Sequence, residues 1–320
     1  MLSRVADNLY WLSRYLERAE HTARVLDLTL NQLLEQRSDE AMNGRIKNLL
    51  DGLFAEALTE NATLYDMTQA LAFDRKNHAS INFCIAQARE NARQIREQIS
   101  SEMWEHLNTL FHKTNRVRIE DVWHTQTTHG FFRVVKEGAQ LFQGLTDSTM
   151  SHNECWQFLQ LGRYIERANY NSHFLDVQFG VLSDSKYYPE IAQDFMDWVG
   201  LLKCFTAFEA YCKVHTADLR PERVIEFLLL NQEFPHSIRF AVDAMEKALM
   251  AIDEATETKR AGLPNRLIGK LKSDLSYSHI DEIMETGLSD YLDGIQKQSG
   301  RIHNAIYDVY ISYPIEKAIA

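Results

Sequence analysis

The sequence predicts an all-α protein, a bundle of long helices built from two related repeats. Proline is absent before Pro189 and glycine is scattered, so the residues that usually mark strands and turns are nearly missing from the first half. Apolar residues recur at steps of three and four over long stretches, which is the spacing of one helical face. A sixteen-residue segment of the first predicted helix also occurs a second time, at residues 161–176.

Two long helices are predicted in the first half of the chain. The first runs from Val5 to about Gln36 and the second from Ile81 to about Leu110, with Ser80 in the position of an N-cap. The first helix carries its apolar stripe on Val5, Leu9, Leu12, Leu16, Ala19, Ala23, Leu26, Leu30 and Leu33. A stripe this long predicts one continuous long helix.

Shorter elements fill the rest of the chain. The segments 46–58 and 62–71 predict short helices, and a further helix through Val122, Val134, Val135, Leu141 and Leu145 follows a polar turn at 113–118. Pro189, Pro221 and Pro235 each precede a helical pattern, as expected where a missing N–H costs nothing. The chain is predicted to end in a helix from Ile280 to about Tyr310.

Composition limits the classes of function. The 320 residues include 34 Lys and Arg against 45 Asp and Glu, a formal net charge of -11 that disfavours nonspecific nucleic-acid binding. The four cysteines form no Cys-x-x-Cys pair and are interpreted as reduced, mostly buried thiols. No uncharged run reaches the length of a membrane span, and charged residues interrupt the start of the chain. We therefore expect a cytoplasmic protein that does not enter the membrane.

The internal repeat joins residues 12–27 to residues 161–176. Eight of the sixteen aligned positions are identical without a gap. A weaker similarity relates Ser80-Ile-Asn-Phe83 to Ser237-Ile-Arg-Phe240 in the same order. These matches predict two related halves, residues 1–150 and 151–320, joined in one integrated domain.

The repeat carries an Arg-x-x-Glu-Arg motif on one helical face. At 100° per residue, the first copy places four polar residues opposite the apolar stripe. They are Arg14, Glu17, Arg18 and His21. In the second copy the corresponding polar residues are Arg163, Glu166, Arg167 and Tyr170.

Three interpretations of this motif stay open from the residues alone. It forms a solvated face whose ion pairs contribute little, or it is buried between the two repeat helices and fixes their register. In the third interpretation its guanidiniums bind a carboxylate or phosphate while Glu17 and Glu166 hold them in place. We favour a combination of the last two, with all the motif residues and His21 as a partner-binding or anion-binding site.

Several segments resemble the bacterial alpha-E family, named for its helices and its Glu-Arg motif. They are LSRVADNLYW at 2–11, RYLERA at 14–19, LGRYIERA at 161–168, VIEFLLL at 224–230 and FPHSIR at 234–239. The resemblance spans nearly the whole chain. The family pattern often has Arg after Phe-Pro, whereas this chain has His236, which argues against an anion contact there.

The resemblance implies a partner of an enzyme rather than an enzyme. Members of this family are typically found with a circularly permuted ATP-grasp amide ligase, a transglutaminase-like peptidase and sometimes a proteasome-like peptidase. It therefore implies a non-catalytic helical partner that binds the ligase or an anionic peptide substrate. Two alternatives stay open: a stand-alone amide-forming or hydrolytic enzyme that uses Glu17 or Glu166, and a purely structural scaffold.

Other sites are not expected. A di-iron bundle needs two Glu-x-x-His pairs, and the nearest fragments are Glu233 with His236 and Asp121 with His124. No phosphate-binding glycine loop and no nucleophile elbow occur, so we expect no cofactor, metal or catalytic residue in this chain. The aromatic residues are expected mainly in the core, and Tyr10 is the one best placed for a partner interface.

Overall fold

The structure is a computed structural model. It describes residues 3–34, 39–55, 58, 62–123, 128–183, 191–216, 218–256 and 262–312. These residues form fifteen α-helices and short 3-10 and π segments, and no strand occurs among them. The prediction of an all-α fold is confirmed.

Seven helices lie in the first half. They are α1 (Ser3–Leu34), α2 (Asp39–Gly52), α3 (Leu64–Thr68), α4 (Ile81–Gln94), α5 (Ser101–Asn115), α6 (Ile119–Trp123) and α7 (Thr128–Thr149). The long first helix agrees with its prediction. The predicted second helix is wrong in extent, because it ends at Gln94 and a new helix starts after Ser100. The Ser100 hydroxyl accepts the backbone N–H of Met103 and so caps α5.

Eight helices lie in the second half. They are α8 (Glu154–Ser183), α9 (Ile191–Cys204), α10 (Phe208–His215), α11 (Pro221–Leu230), α12 (Ile238–Thr256), α13 (Gly262–Tyr277), α14 (Ile280–Thr286) and α15 (Leu288–Ile306). Pro221 is the first residue of α11, as predicted, whereas Pro189 lies outside the described residues. The predicted last helix is interrupted at Gly287, whose φ of 109° only glycine adopts readily.

The two helices that carry the motif, α1 and α8, pack against each other at the centre of the bundle. Tyr10 on α1 lies against Gly162 on α8, and His21 further along α1 lies against Tyr170. Both helices therefore advance in the same direction and pack in parallel. A Cβ added to Gly162 would lie 2.2 Å from the carbonyl oxygen of Tyr10, so glycine permits this close approach.

Helices at corresponding places in the two halves pack in the same pattern. The neighbours α4 and α7 pack against α1, while α12 and α15 pack against α8. In addition, α2 packs across onto α8 and α9 packs across onto α1. This arrangement encloses both central helices, so each is buried on more than its apolar stripe.

Equivalent turns precede α4 and α12. The Ser80 hydroxyl caps the N–H of Phe83 and donates to the carbonyl oxygen of Asp74. The Ser237 hydroxyl likewise caps the N–H of Phe240 and donates to the carbonyl oxygen of Asn231. These matching contacts are consistent with a duplication, and the division at residue 150 stays a prediction.

None of the described helices combines the length and the apolar character that crossing a bilayer requires. All four cysteines are free thiols. Cys84, Cys155 and Cys204 are buried and Cys212 is half-buried, as expected from their spacing. The thiols therefore belong mainly to the core packing between helices.

Candidate functional site

The first Arg-x-x-Glu-Arg motif pairs with the second across the contact between α1 and α8. Arg14 Nε donates to Glu166 Oε2 at 2.6 Å, and Arg18 Nε donates to Glu166 Oε1 at 2.7 Å. One carboxylate of α8 is therefore held by two guanidiniums of α1, which are one helical turn apart.

The arginines of the second motif pair in the same way with the glutamate of the first motif, on α1. Arg167 donates to both oxygens of Glu17, with Nε at 2.5 Å from Oε1 and Nη2 at 3.0 Å from Oε2. Arg163 Nε lies 3.8 Å from Glu17 Oε2. Each glutamate is thus paired with the arginines of the other copy. Parallel packing explains the pattern, because it places corresponding residues of the two helices side by side.

The pairing continues into the turns before α4 and α12. Arg18 Nη1 donates to the carbonyl oxygen of His78 at 3.4 Å, and Arg167 Nη1 donates to that of Pro235 at 2.9 Å. His78 and Pro235 each stand two residues before the serine that caps the next helix. The motif therefore fixes four elements of the core relative to one another.

A solvated motif face is the wrong interpretation. Glu166 is completely buried, Glu17 is 5% exposed and Arg167 is 2% exposed. Arg14, Arg18 and Arg163 keep only 11–17% of their side-chain surface accessible. The face opposite the apolar stripe of α1 meets α8 instead of water, because other helices enclose the central pair.

Both glutamates are held as anions. Burial by itself would raise the pKa of Glu166, but the guanidiniums of Arg14 and Arg18 outweigh this effect and lower that pKa to about 2. Burial likewise opposes ionisation of Glu17, yet the guanidinium of Arg167 lowers its pKa below the ordinary value. Neither carboxyl group holds a proton near neutral pH.

Arg14 has further partners besides Glu166 on its side of the central pair. Its Nη1 lies 3.3 Å from Nδ1 of His303 on α15 and 3.5 Å from the Tyr10 hydroxyl, and its guanidinium lies 4.4 Å from the Trp11 ring centroid. A guanidinium only donates hydrogen bonds, so His303 Nδ1 is an acceptor here and the ring proton lies on Nε2. The Tyr10 hydroxyl donates to the same Nδ1 at 2.8 Å.

These contacts correct the expectation for Tyr10. Its side chain is fully buried against α15 and does not form a surface for a partner. Burial raises the pKa of Tyr10 well above the ordinary value, so the hydroxyl keeps its proton. A neighbouring chain of hydrogen bonds runs from Trp11 Nε1 to the Tyr307 hydroxyl and on to Asp7.

His21 lies between the two central helices beyond the ion pairs. Its ring contacts Tyr170 and Phe174 edge to face, at centroid distances of 5.2 and 5.4 Å. Its Nε2 is buried and has no hydrogen-bond partner among the described residues. Burial lowers the pKa of His21 to about 4, although the nearby Glu17 opposes this shift. His21 is therefore a neutral aromatic neighbour of the cluster at pH 7.

Arg163 differs from the other three motif arginines. Its guanidinium makes no hydrogen bond to any described residue, and its buried Nε is unpartnered. Burial and the nearby charge of Arg167 lower the pKa of Arg163, whereas the pKa values of Arg14, Arg18 and Arg167 are raised. Arg163 is the least compensated cation of the motif.

The structure adds polar residues that the motif analysis missed. Glu20 is 4% exposed and pairs with Arg24 at 2.5 Å on the same helix. Gln140 and Gln143 on α7 donate to Glu20 and Glu17 at 3.3 and 3.5 Å. Glu20 and Arg24 continue the three- and four-residue spacing of the motif, which is a signal in the sequence. The glutamines, like His303, come from distant segments and give no such signal.

The cluster carries more positive than negative charge. Four motif guanidiniums surround two motif carboxylates, and Glu20 with Arg24 adds a neutral pair. His236, which follows Phe-Pro, is kept neutral because burial and then Arg167 lower its pKa well below the ordinary value. The arrangement can hold an additional anion, because buried cations are costly without compensating charge.

Within the described residues, no three or more His, Cys, Asp or Glu side chains come together as a set that could hold a metal ion. His129 on α7 contacts Asp27 on α1, with Nδ1 and Oδ1 2.5 Å apart. The carbonyl oxygen of His236 accepts a hydrogen bond from Asn171, and His124 lies outside the described residues.

The chain is similar to longer mycobacterial proteins. It is 21% identical over 326 residues to an uncharacterized protein of Mycobacterium bovis and, separately, to one of Mycobacterium tuberculosis strain CDC 1551. Each alignment covers 96% of this chain and 36% of the relative, so the chain spans about a third of these proteins. No solved structure matches the chain at a significant level.

A family model matches residues 1–311 and is described as a predicted alpha-helical domain with a conserved ER motif. In the two copies of the repeated motif, the Glu-Arg dipeptide occurs as Glu17-Arg18 and as Glu166-Arg167; a third Glu-Arg dipeptide, Glu222-Arg223, lies outside the repeat. The two dipeptides of the repeat form the reciprocal ion pairs at the centre of the bundle. The chain belongs to the Alpha-E family.

Proposed function

We propose that this chain is a non-catalytic helical partner of an ATP-grasp-type amide ligase, and that its arginine cluster receives an anionic group of the ligase or of its peptide substrate. The observation that carries the proposal is the excess of guanidiniums over carboxylates at the centre of the bundle. Three of these arginines keep part of their side chain accessible. A rigid cationic cluster is suited to orienting an anion.

The length of the relatives supports a partner role. In the mycobacterial proteins, the region similar to this chain is about a third of a longer polypeptide. A helical region of this kind therefore occurs covalently joined to other sequence. We interpret this arrangement as support for a helical region that works together with other protein sequence.

The geometry argues against the rival in which Glu17 or Glu166 performs acid–base catalysis. Both have a lowered pKa, and Glu166 has both oxygens engaged by arginines. A general acid needs a pKa near the working pH, so these carboxylates are poorly matched to that role. Burial also raises the pKa of Cys84 and Cys204 to about 12, which keeps both thiols protonated and poorly nucleophilic.

The partner role is tested by co-purification with the circularly permuted ATP-grasp ligase of the same organism. The chain should be captured by the tagged ligase and should increase ATP-dependent amide formation. An Arg14→Ala, Arg163→Ala double variant should lose this effect. A matched Arg93→Ala, Arg220→Ala variant, which removes two exposed arginines, should retain it.

The outcomes separate the three classes of function. Failure of the wild-type chain to bind or stimulate the ligase would remove the partner role. If a folded double variant is captured and stimulates the ligase like wild type, the motif has only a structural role. Turnover by the purified chain alone, abolished by a folded Glu17→Gln or Glu166→Gln variant, would establish the enzymatic alternative.

A further inference from the structure

The two sides of the central ion-pair cluster differ in how completely the guanidinium groups of their arginines are hydrogen-bonded. Glu166 is clamped by Arg14 and Arg18 at 2.6 and 2.7 Å, and Arg14 also reaches His303 and the Tyr10 hydroxyl. On the other side, Arg167 alone forms close hydrogen bonds to Glu17. The structure therefore has one closed side, around Glu166, and one open side, around Glu17, where the remaining donors are only weakly engaged.

Two weakly engaged donors approach the same oxygen atom of Glu17 as Arg167 does. Glu17 Oε2 accepts Arg167 Nη2 at 3.0 Å, while Gln143 Nε2 is 3.5 Å away and Arg163 Nε is 3.8 Å away. The last two donors approach at the limit of hydrogen bonding or beyond it. The Gln143 amide thus makes only a long hydrogen bond to Glu17, and the buried Nε of Arg163 makes none. They come from α7 and α8, next to Glu17 on α1.

The charges on the Glu17 side of the cluster favour a ligand with a single negative charge. Arg163, Arg167 and Arg24 are balanced by only two carboxylates, Glu17 and Glu20. A monoanion would neutralise the excess, whereas a phosphate dianion would bring a second charge close to both glutamates. The pKa of Arg163 is lowered by burial and by Arg167, which agrees with a cation that lacks a close partner.

We infer that Arg163 and Gln143 form a binding site for a carboxylate group at the junction of α1, α7 and α8. The planar guanidinium supplies a charge-assisted fork and the Gln143 amide supplies a neutral donor. Arg163 keeps 17% of its side-chain surface accessible, so solvent reaches it. Tyr164, whose ring centroid is 5.2 Å from the Arg163 guanidinium carbon, supports the cation from one side.

This inference refines the proposed function by naming the group recognised, the terminal carboxylate of a peptide substrate. It rests on that function only for the peptide origin of the carboxylate. The site itself depends on the contacts of Arg163 and can be tested without the ligase.

The test is calorimetric titration of the full chain at pH 7 in a low-chloride buffer. The probe is an acetylated alanine tripeptide with a free carboxyl end, compared with its C-terminal amide and with inorganic phosphate. The free acid should bind, and the amide and phosphate should bind at least about tenfold more weakly, the factor that one charge-assisted hydrogen bond provides. Arg163→Gln should weaken binding of the acid by a similar factor.

Two controls keep the result interpretable. Arg93→Gln removes an exposed arginine from an exposed ion pair and should leave binding unchanged. If Arg163→Gln does not fold, the side-chain Nε–Hε NMR signal of Arg163 in the wild-type chain gives an independent readout. Addition of the acid should shift this signal and addition of the amide should not.

Equal binding of acid and amide, tighter binding of phosphate, or undiminished binding to folded Arg163→Gln would overturn the inference. An Arg163 signal unaffected by a bound acid would do the same. These outcomes are distinct from failure of the proposed function. Ligase capture without peptide binding removes only the carboxylate site, and peptide binding without ligase capture removes only the partner role.

Discussion

Glu17 on α1 accepts two hydrogen bonds from Arg167 on α8, at 2.5 and 3.0 Å, in the interior of the bundle. The pair joins the glutamate of one Glu-Arg dipeptide to the arginine of the other. Arg18 and Glu166 make the reverse connection at 2.7 Å. The duplicated motif therefore joins two parallel helices by reciprocal ion pairs. Its contribution to the stability of the fold can be tested separately from anion binding near Arg163.

The first prediction concerns the carboxylate at the closed side. Glu166→Gln removes the charge that compensates Arg14 and Arg18 while keeping nearly the same shape. Breaking a buried ion pair in this way costs about 3–5 kcal/mol, which urea unfolding followed by circular dichroism should detect. Glu90→Gln is the matched control, because Glu90 also accepts two hydrogen bonds from Arg93 but at the surface. Its cost should stay below about 1 kcal/mol, and an equally small cost for Glu166→Gln would contradict a buried ion pair.

The second prediction compares the two arginines that face Glu17. Arg167→Gln should destabilise the chain by about 3–5 kcal/mol, since it leaves a buried carboxylate without its close partner. Arg163→Gln should change the unfolding free energy by no more than about 1 kcal/mol, because it removes a cation that is only weakly paired with Glu17 and lies next to a like charge. Thermal unfolding of both variants provides the measurement. Equal losses would show that Arg163 is a structural partner of Glu17 and not an open donor.

The third prediction concerns the contact between the central helices. Gly162→Ala places a Cβ within 2.2 Å of the Tyr10 carbonyl oxygen, so α1 and α8 must separate. Overpacking of this kind costs about 1–3 kcal/mol, and the ion pairs should lengthen as the helices move. Gly144→Ala on α7 is the control, because no atom lies within 4 Å of its added Cβ. It should be neutral or stabilise the helix by about 0.5–1 kcal/mol, and a similar effect of both variants would exclude the close approach.

The fourth prediction concerns acid sensitivity. Burial lowers the pKa of His21 to about 4, and burial together with Arg14 lowers that of His303 to about 4. The unfolded chain, with a histidine pKa near 6.5, therefore binds more protons than the folded chain between about pH 4 and 6.5. Stability should fall as the pH decreases through this window, before the buried glutamates lose their charge.

Substitution of these histidines should reduce that acid dependence. His21→Phe and His303→Gln should each flatten the slope of unfolding free energy against pH between 4 and 6.5. At pH 7 both histidine side chains are already neutral, so neither substitution should change the net charge of the protein at that pH. Urea unfolding at several pH values measures the slope. Slopes identical to wild type would mean that these histidines titrate equally in the folded and unfolded chains.

Much of the secondary structure could be predicted from local spacing. The stripe on α1 requires only the three- and four-residue period, and Ser80 and Pro221 mark helix starts through their own backbone chemistry. The breaks at Ser100 and Gly287 were missed, because the apolar period continues through both. There a capping hydroxyl or a glycine conformation outweighs the continuing pattern.

The residues of the candidate site were predicted more completely than their arrangement. All four motif arginines and both glutamates lie in the central cluster, because the motif copies share one helical face. His21 lies beside them without a hydrogen bond to their charged groups, and Tyr10, the aromatic residue considered best placed for a partner interface, is buried. His303 and Gln143 come from remote helices, and no local pattern connects them with the motif.

The sequence by itself determined the all-α class, the duplicated motif and the family to which the chain belongs. These depend on helical periodicity and on residue identity within short segments, which local backbone physics governs. Only the tertiary structure decided that the motif faces inward, that each glutamate binds the arginines of the other copy and that Arg163 is left without a close partner. Those features depend on the parallel packing of α1 and α8 and on the helices around them, which bring together side chains from distant parts of the chain.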